Sequence, residues 1–156
     1  HSEIYRARPE VVAVVHSHSP SVIPFGITGQ RLRPVFHMSG FLGSGSAHFE
    51  IRDTAGESDL LIRSPELGKA LAEAMGSCAC VLMRGHGSTV SGGSIEQAVY
   101  RAVYAELNAT LQAEGMKLGE VTYLTETEGA LAAAANDSQI GRAWALWERE
   151  LGQATG

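Results

Sequence analysis

Apolar and polar positions along this chain alternate between two rhythms. Residues 11–15 are a continuous apolar run rich in β-branched side chains, which predicts a strand buried on both faces. Residues 78–83 predict a second apolar strand, and residues 47–52, which alternate apolar and polar, a third. Elsewhere the period is helical. Ser64-Pro65-Glu66 supplies a capping serine, a proline at the first helical position and an acid in the first turn. Leu67, Ala70, Leu71 and Ala74 follow at helical spacing, and Gly76 is a stop. Ser94 and Gln97 have the spacing of a capping box, ahead of a stripe of Ala98, Ala102, Val103 and Leu107 that runs up to Gly115. Thr125 and Glu128 form another such box before an alanine-rich helix interrupted at Asn136-Asp137, and Ile140, Trp144, Trp147 and Leu151 continue an apolar stripe.

Punctuation between these elements is dense. Pro24, Gly26, Gly29 and Pro34 make residues 21–34 a loop with room for one short strand, and the Gly- and Ser-rich residues 36–46 read as irregular. The first eight residues, His1 to Arg8, have no cap ahead of them. They read as the second half of a helix stopped by Pro9, so the chain is expected to begin in mid-element. Strands interspersed with several helices predict an α/β domain with helices packed against a central sheet.

The chain has 156 residues, enough for one domain with a substantial core, and carries a net charge of −5. It contains no basic cluster interleaved with aromatics, which argues against a nucleic-acid partner, and no apolar run long enough to cross a bilayer. Cys78 and Cys80 are too close in sequence for an unstrained bridge; they read as small reduced core residues, which points to a cytoplasmic protein.

Against this background the histidines stand out. His16 and His18 follow a buried strand, and residues two apart on a strand share a face, so two imidazoles can converge there. His86 also follows an apolar strand and is flanked by Gly85 and Gly87, which allow close backbone approach. Three imidazoles and one open position are what a catalytic divalent metal needs. His1, His37 and His48 lack this setting and read as ordinary polar residues.

Arg8-Pro9-Glu10-Val11-Val12-Ala13-Val14-Val15-His16-Ser17-His18 resembles the RPD-x-x-AVVH-x-H segment of the class II aldolase/adducin family, and residues 81–87, ending in Arg84-Gly85-His86-Gly87, resemble that family's strand ending in HG. The resemblance covers essentially all of residues 1–156. It implies a three-layer α/β/α fold around a largely antiparallel sheet, homotetrameric assembly, and one divalent ion, zinc, manganese or iron, on His16, His18 and His86. It also implies that the family's catalytic glutamate and phosphate loops precede His1, so that the N-terminal part of the domain is missing. The Arg-Gly-His-Gly sequence is more similar to the decarboxylase branch than to the sugar-phosphate aldolases.

A dication on three neutral imidazoles polarises a substrate oxygen and stabilises an enediolate-type carbanion, which serves both aldol cleavage and decarboxylation. The implied substrate is a small carboxylate or sugar phosphate. An adducin-like interaction domain and an iron-dependent oxygenase are the competing readings. Arg84, two residues before His86, can clamp a substrate carboxylate if the strand persists that far, or pair with one of the 17 acids. Tyr123 is a candidate proton donor or a core tyrosine. Trp144 and Trp147 are core or subunit-interface residues.

Overall fold

The structure, a computed structural model, describes residues 1–154. Among these residues four strands form one mixed sheet: β1 (Ala13–Ser17), β2 (Ala47–Phe49), β3 (Cys80–Met83) and β4 (Gly87–Gly92), in the order β1-β4-β3-β2. β4 is antiparallel to both β1 and β3, and β2 runs parallel to β3. Among the described residues seven α-helices accompany it: α1 (Ser2–Ala7), α2 (Ile23–Thr28), α3 (Arg52–Ala55), α4 (Pro65–Met75), α5 (Ile95–Leu118), α6 (Glu126–Asp137) and α7 (Ile140–Ala154).

The apolar run of β3 explains the layers. All four of its residues are buried. Val81 and Met83 join Ile4, Phe49, Leu71 and Met75 in one core, against α1 and α4. Cys80 and Leu82 join Val22, Phe25, Ala105 and Ala109 in another, against α2 and α5. A period of two on one strand therefore feeds two cores, with helices on both faces of the sheet, as an α/β/α sandwich requires.

Several sequence expectations need correction. β4 is absent from the hydrophobic pattern because Gly87-Ser88-Thr89-Val90-Ser91-Gly92 is mostly polar, yet every residue of it is buried. It lies between two strands that satisfy its backbone, and its polar side chains find tertiary partners: Ser88 Oγ is 3.4 Å from Ser17 Oγ, and Thr89 Oγ1 is 3.5 Å from His16 Nδ1. Residues 21–34 contain the helix α2 rather than a strand. Pro24 in its first turn and the left-handed Gly29 just past its end are ordinary helix punctuation. β2 stops at Phe49, and Arg52 already begins a helical turn. Within residues 36–46, His37–Leu42 is a 3₁₀ helix.

The long helix α5 buries only part of the expected stripe, Ala98 fully and Ala102 in part. Val103 and Leu107 are exposed, whereas Ala98, Ala105, Asn108, Ala109 and Gln112 are buried. The small alanines let the helix approach the sheet. Asn108 and Gln112, one turn apart, staple the segment before the 3₁₀ helix: Asn108 Oδ1 accepts from the Val35 amide (3.0 Å) and Gln112 Oε1 from the Arg33 amide (2.9 Å). The helix also runs past Gly115 to Leu118. The caps at Ser64 and Thr125 are in place. Ser94 caps the amide of Gln97, whose side chain reaches the Gly93 amide rather than completing a box on Ser94.

Candidate metal centre

The sheet order brings the histidines together. β4 runs antiparallel to its neighbours, so the end of β1 and the β3–β4 turn arrive at the same edge of the sheet. His16 is paired with Thr89 and Ser17 with Ser88, while His18 follows the strand. β3 ends at Met83, and His86 sits in the tight turn to β4, its amide donating to the Met83 carbonyl at 3.0 Å. Gly85 takes a left-handed φ of 68° in that turn. Gly87 is required for another reason: a Cβ there would stand 2.2 Å from the Ser17 carbonyl oxygen. The two glycines flanking His86 thus do separate jobs, one turning the chain and the other admitting β1.

One ligand-capable nitrogen from each of His16, His18 and His86 lies within 4.8 Å of the others. The Nε2 atoms of His16 and His18 are 3.1 Å apart, a distance that two nitrogens each about 2.1 Å from a single ion can span. Ring centroids are 4.9–5.0 Å apart across the three pairs. His86 Nδ1 is 2.9 Å from the Leu60 carbonyl. A carbonyl only accepts, so Nδ1 carries the proton and Nε2 keeps its lone pair for a ligand. Partial burial pushes the His16 pKa below its ordinary value, and the neighbouring charges of His86 and His18 push the same way. The shift favours the neutral form that metal ligation needs. Three convergent imidazoles, one with its tautomer fixed by a hydrogen bond, fit a divalent transition metal.

His1 stands next to this cluster, its ring 5.5 Å from that of His16, although it does not share in the convergence. His48 Nε2 is 3.3 Å from the Phe25 carbonyl, and His37 starts the 3₁₀ helix. Arg84 does not share a strand face with His86, because the strand ends one residue before Arg84. Its Nε donates to Glu50. The parallel register pairs Phe49 with Met83, so Glu50 and Arg84 leave adjacent strands side by side. Arg52 and then Arg84 hold the Glu50 carboxyl down to a pKa of about 2. The terminal guanidinium nitrogens of Arg84 have no protein hydrogen bond among the described residues. Tyr123 is engaged elsewhere: Gln112 Nε2 donates to its hydroxyl at 3.3 Å, and the Arg33 guanidinium lies 4.0 Å above its ring. No hydrogen bond links it to the histidines among the described residues. Cys78 and Cys80 are free thiols, and burial pushes Cys80 up to about 12. Trp144 and Trp147, half-buried on α7, line a shallow groove with Val99 and Val103 of α5.

The second ring of residues around the site escaped sequence reasoning. The Leu60 carbonyl belongs to the backbone of an exposed loop and leaves no side-chain signal. Glu50 could have been found from the register of the parallel pair, had β2 been bounded correctly.

Residues 1–113 match the family model described as class II aldolase and adducin N-terminal domain. The chain belongs to this family. It is 41% identical to the decarboxylase tropJ of Talaromyces stipitatus over 97% of its length, and 35% identical to the 3,4-dihydroxyphthalate decarboxylase of Arthrobacter keyseri over 76%. It spans 65% and 47% of the lengths of these two relatives. Among solved structures, an aldolase II superfamily protein from Pseudomonas syringae superposes with a TM-score of 0.75 at 22% identity, over 99% of this chain and 61% of the other. That likeness concerns the fold. No helix among the described residues is long and apolar enough to cross a membrane.

Proposed function

We propose that this chain carries the metal centre of a carbon–carbon lyase, and specifically of a decarboxylase acting on a small carboxylated, hydroxylated substrate. The observation that carries the reading is the convergence of His16, His18 and His86 at one sheet edge. A domain that served only as an interaction surface would need neither three converging imidazoles nor a fixed tautomer on His86. The preference for decarboxylation over aldol cleavage is supported by the similarity to two proteins named as decarboxylases.

The ion, zinc first and manganese or iron as alternatives, supplies when bound a positive charge that polarises a substrate oxygen and stabilises the carbanion left by bond cleavage. The chain's own residues do the rest of what is assigned to it. His16, His18 and His86 hold the ion. Arg84 is proposed to bind a substrate carboxylate: Glu50 fixes its Nε, and the two terminal nitrogens remain available for a planar, charge-assisted pair. In the reaction, the bond to the carboxylate carbon breaks, carbon dioxide leaves, and the electron pair stays on the substrate carbon until a proton replaces it.

The full-length protein is proposed to be a cytoplasmic homotetramer. The exposed apolar residues Ile95, Val103, Leu107 and Leu111, spaced along α5, support burial against another chain. The two free thiols support a reducing setting.

The test is carbon dioxide release by full-length protein loaded with zinc or manganese. Hydroxylated aromatic carboxylates, 3,4-dihydroxyphthalate among them, would be compared with L-fuculose 1-phosphate. Release from a carboxylate that is abolished by chelation supports the proposal. Sugar-phosphate cleavage without decarboxylation would move the protein to the aldolases.

A further inference from the structure

Leu60 is unusual in its backbone. Among the described residues it is the one non-glycine residue with a left-handed φ, 66°. A branched aliphatic residue rarely takes this conformation, and residues that do so cluster where a site needs them. The segment around it is built to hold the conformation. Ser58 Oγ accepts from the Leu60 amide at 3.2 Å, and Asp59 Oδ1 accepts from the Leu61 amide at 3.1 Å. Asp59 is itself paired with Arg63, four residues further on. The Leu60 side chain packs against the buried core that holds Phe49, Leu71 and Met83, and it lies over Gly85, where a Cβ would come within 3.3 Å of Leu60 Cδ1. Gly85 is the other left-handed residue at this point, immediately before His86.

What this arrangement produces is a backbone carbonyl on the His86 ring. The two residues are 26 apart in sequence, and the contact is a 2.9 Å hydrogen bond from Nδ1. We propose that Leu60 is a positioning residue of the metal centre: its left-handed backbone presents the carbonyl that accepts from His86 Nδ1–H, which orients the imidazole, keeps its proton on Nδ1 and leaves Nε2 as the ligand atom. The inference rests on the metal-binding reading above and deepens it. The loop is a strap that sets one of three ligands through the main chain, so the identity of residue 60 matters through its conformation rather than through contact with any ligand.

Two substitutions separate conformation from packing. Leu60→Gly allows the left-handed φ but removes the apolar contacts. Leu60→Val keeps most of the apolar bulk but, being β-branched, resists that φ. Leu60→Gly is expected to lower thermal stability while leaving zinc affinity, measured by chelator competition, within about twofold of the parent; Leu60→Val is expected to weaken zinc binding about 10–100-fold, the range for losing an outer-shell partner. Imidazole ¹⁵N shifts of the metal-free protein, taken where the ring is neutral, should show His86 as the Nδ1–H tautomer in the parent and in Leu60→Gly, and as a mixture in Leu60→Val. Ser58→Ala, at an exposed position, loosens the same turn and should shift both readouts in the same direction by a smaller amount. Equal zinc affinity and equal tautomer in the parent, Leu60→Val and Ser58→Ala would overturn the proposal, as would an equal loss in Leu60→Gly and Leu60→Val. A parent protein that binds no zinc would defeat the metal reading instead, and the tautomer measurement would still decide the role of Leu60.

Discussion

Replacing Gly87 with alanine probes the join between β1 and the β3–β4 turn. The added methyl would stand 2.2 Å from the Ser17 carbonyl oxygen, 3.1 Å from the Ser17 carbonyl carbon and 3.0 Å from His18 Cδ2. Carbon and carbonyl oxygen sit roughly 3.3–3.6 Å apart even in close C–H···O contacts, so the shortfall is about 1 Å. The obstacle is main chain, which cannot swing aside as a long side chain would. Either the Ser17–Ser88 pairing opens or β4 moves away from β1. Overpacking of this kind costs roughly 1–3 kcal/mol, and a rigid obstacle places the cost near 3. For a domain of this size that is a loss of about 6–12 °C in Tm. The displaced segment carries His16 and His18, so zinc affinity should fall at least ~10-fold as well, since about 1.4 kcal/mol of lost ligand geometry suffices. The assay is thermal unfolding of the metal-free protein, with zinc competition on the same samples. Gly141→Ala is the control, because a Cβ at Gly141 meets nothing within 4 Å. A Gly87→Ala protein with the parent's Tm and zinc affinity would refute the packing argument.

Three further outcomes are expected. Glu50 has a folded pKa of about 2, below the roughly 4.3 of an unfolded chain, so its stabilising contribution is complete above that value and is lost as pH falls toward 2; Glu50→Gln should flatten the acid limb of the stability curve between those limits, and an unchanged acid limb would count against the pairing. Arg84→Met should raise the KM for a carboxylate substrate about tenfold or more with metal content unchanged, because a charge-assisted pair contributes roughly 1.5–3 kcal/mol; steady-state kinetics that match the parent would return Arg84 to a purely structural partner of Glu50. Light scattering on the full-length protein should give a tetramer that Leu107→Glu weakens, and a clean monomer for the parent would remove the assembly proposal.

The parts of the fold that were legible in the sequence are those in which one strand or helix states its own surroundings. The run at β3 is apolar at every position and therefore announces two covered faces, and the serine, proline and glycine around α4 mark its ends. β4 could not be read in this way. Its serines and threonine are buried because β1 and β3 flank it, and that information lies in the partner strands. The face of α5 was misread in part for a related reason: small and amide side chains form the buried surface, so the larger aliphatic residues misdirect a search by hydrophobicity. At the site, the strand-end position of His16 and His18 and the glycines beside His86 were enough to bring the three together. The orienting Leu60 carbonyl depends on a tertiary neighbour 26 residues away and leaves no local trace, and the acid that pairs with Arg84, Glu50, 34 residues away, becomes legible only through the register of β2 against β3.

The central claim is that His16, His18 and His86 hold one catalytic metal ion. It is tested most directly by titrating zinc into the metal-free full-length protein, alongside His16→Ala, His18→Ala and His86→Ala, with calorimetry for affinity and elemental analysis for stoichiometry. One tightly held ion per chain is expected in the parent, and in each variant a loss of affinity of at least ~100-fold with the fold retained. A parent that takes up no ion, or variants that bind zinc as tightly as the parent, would contradict it.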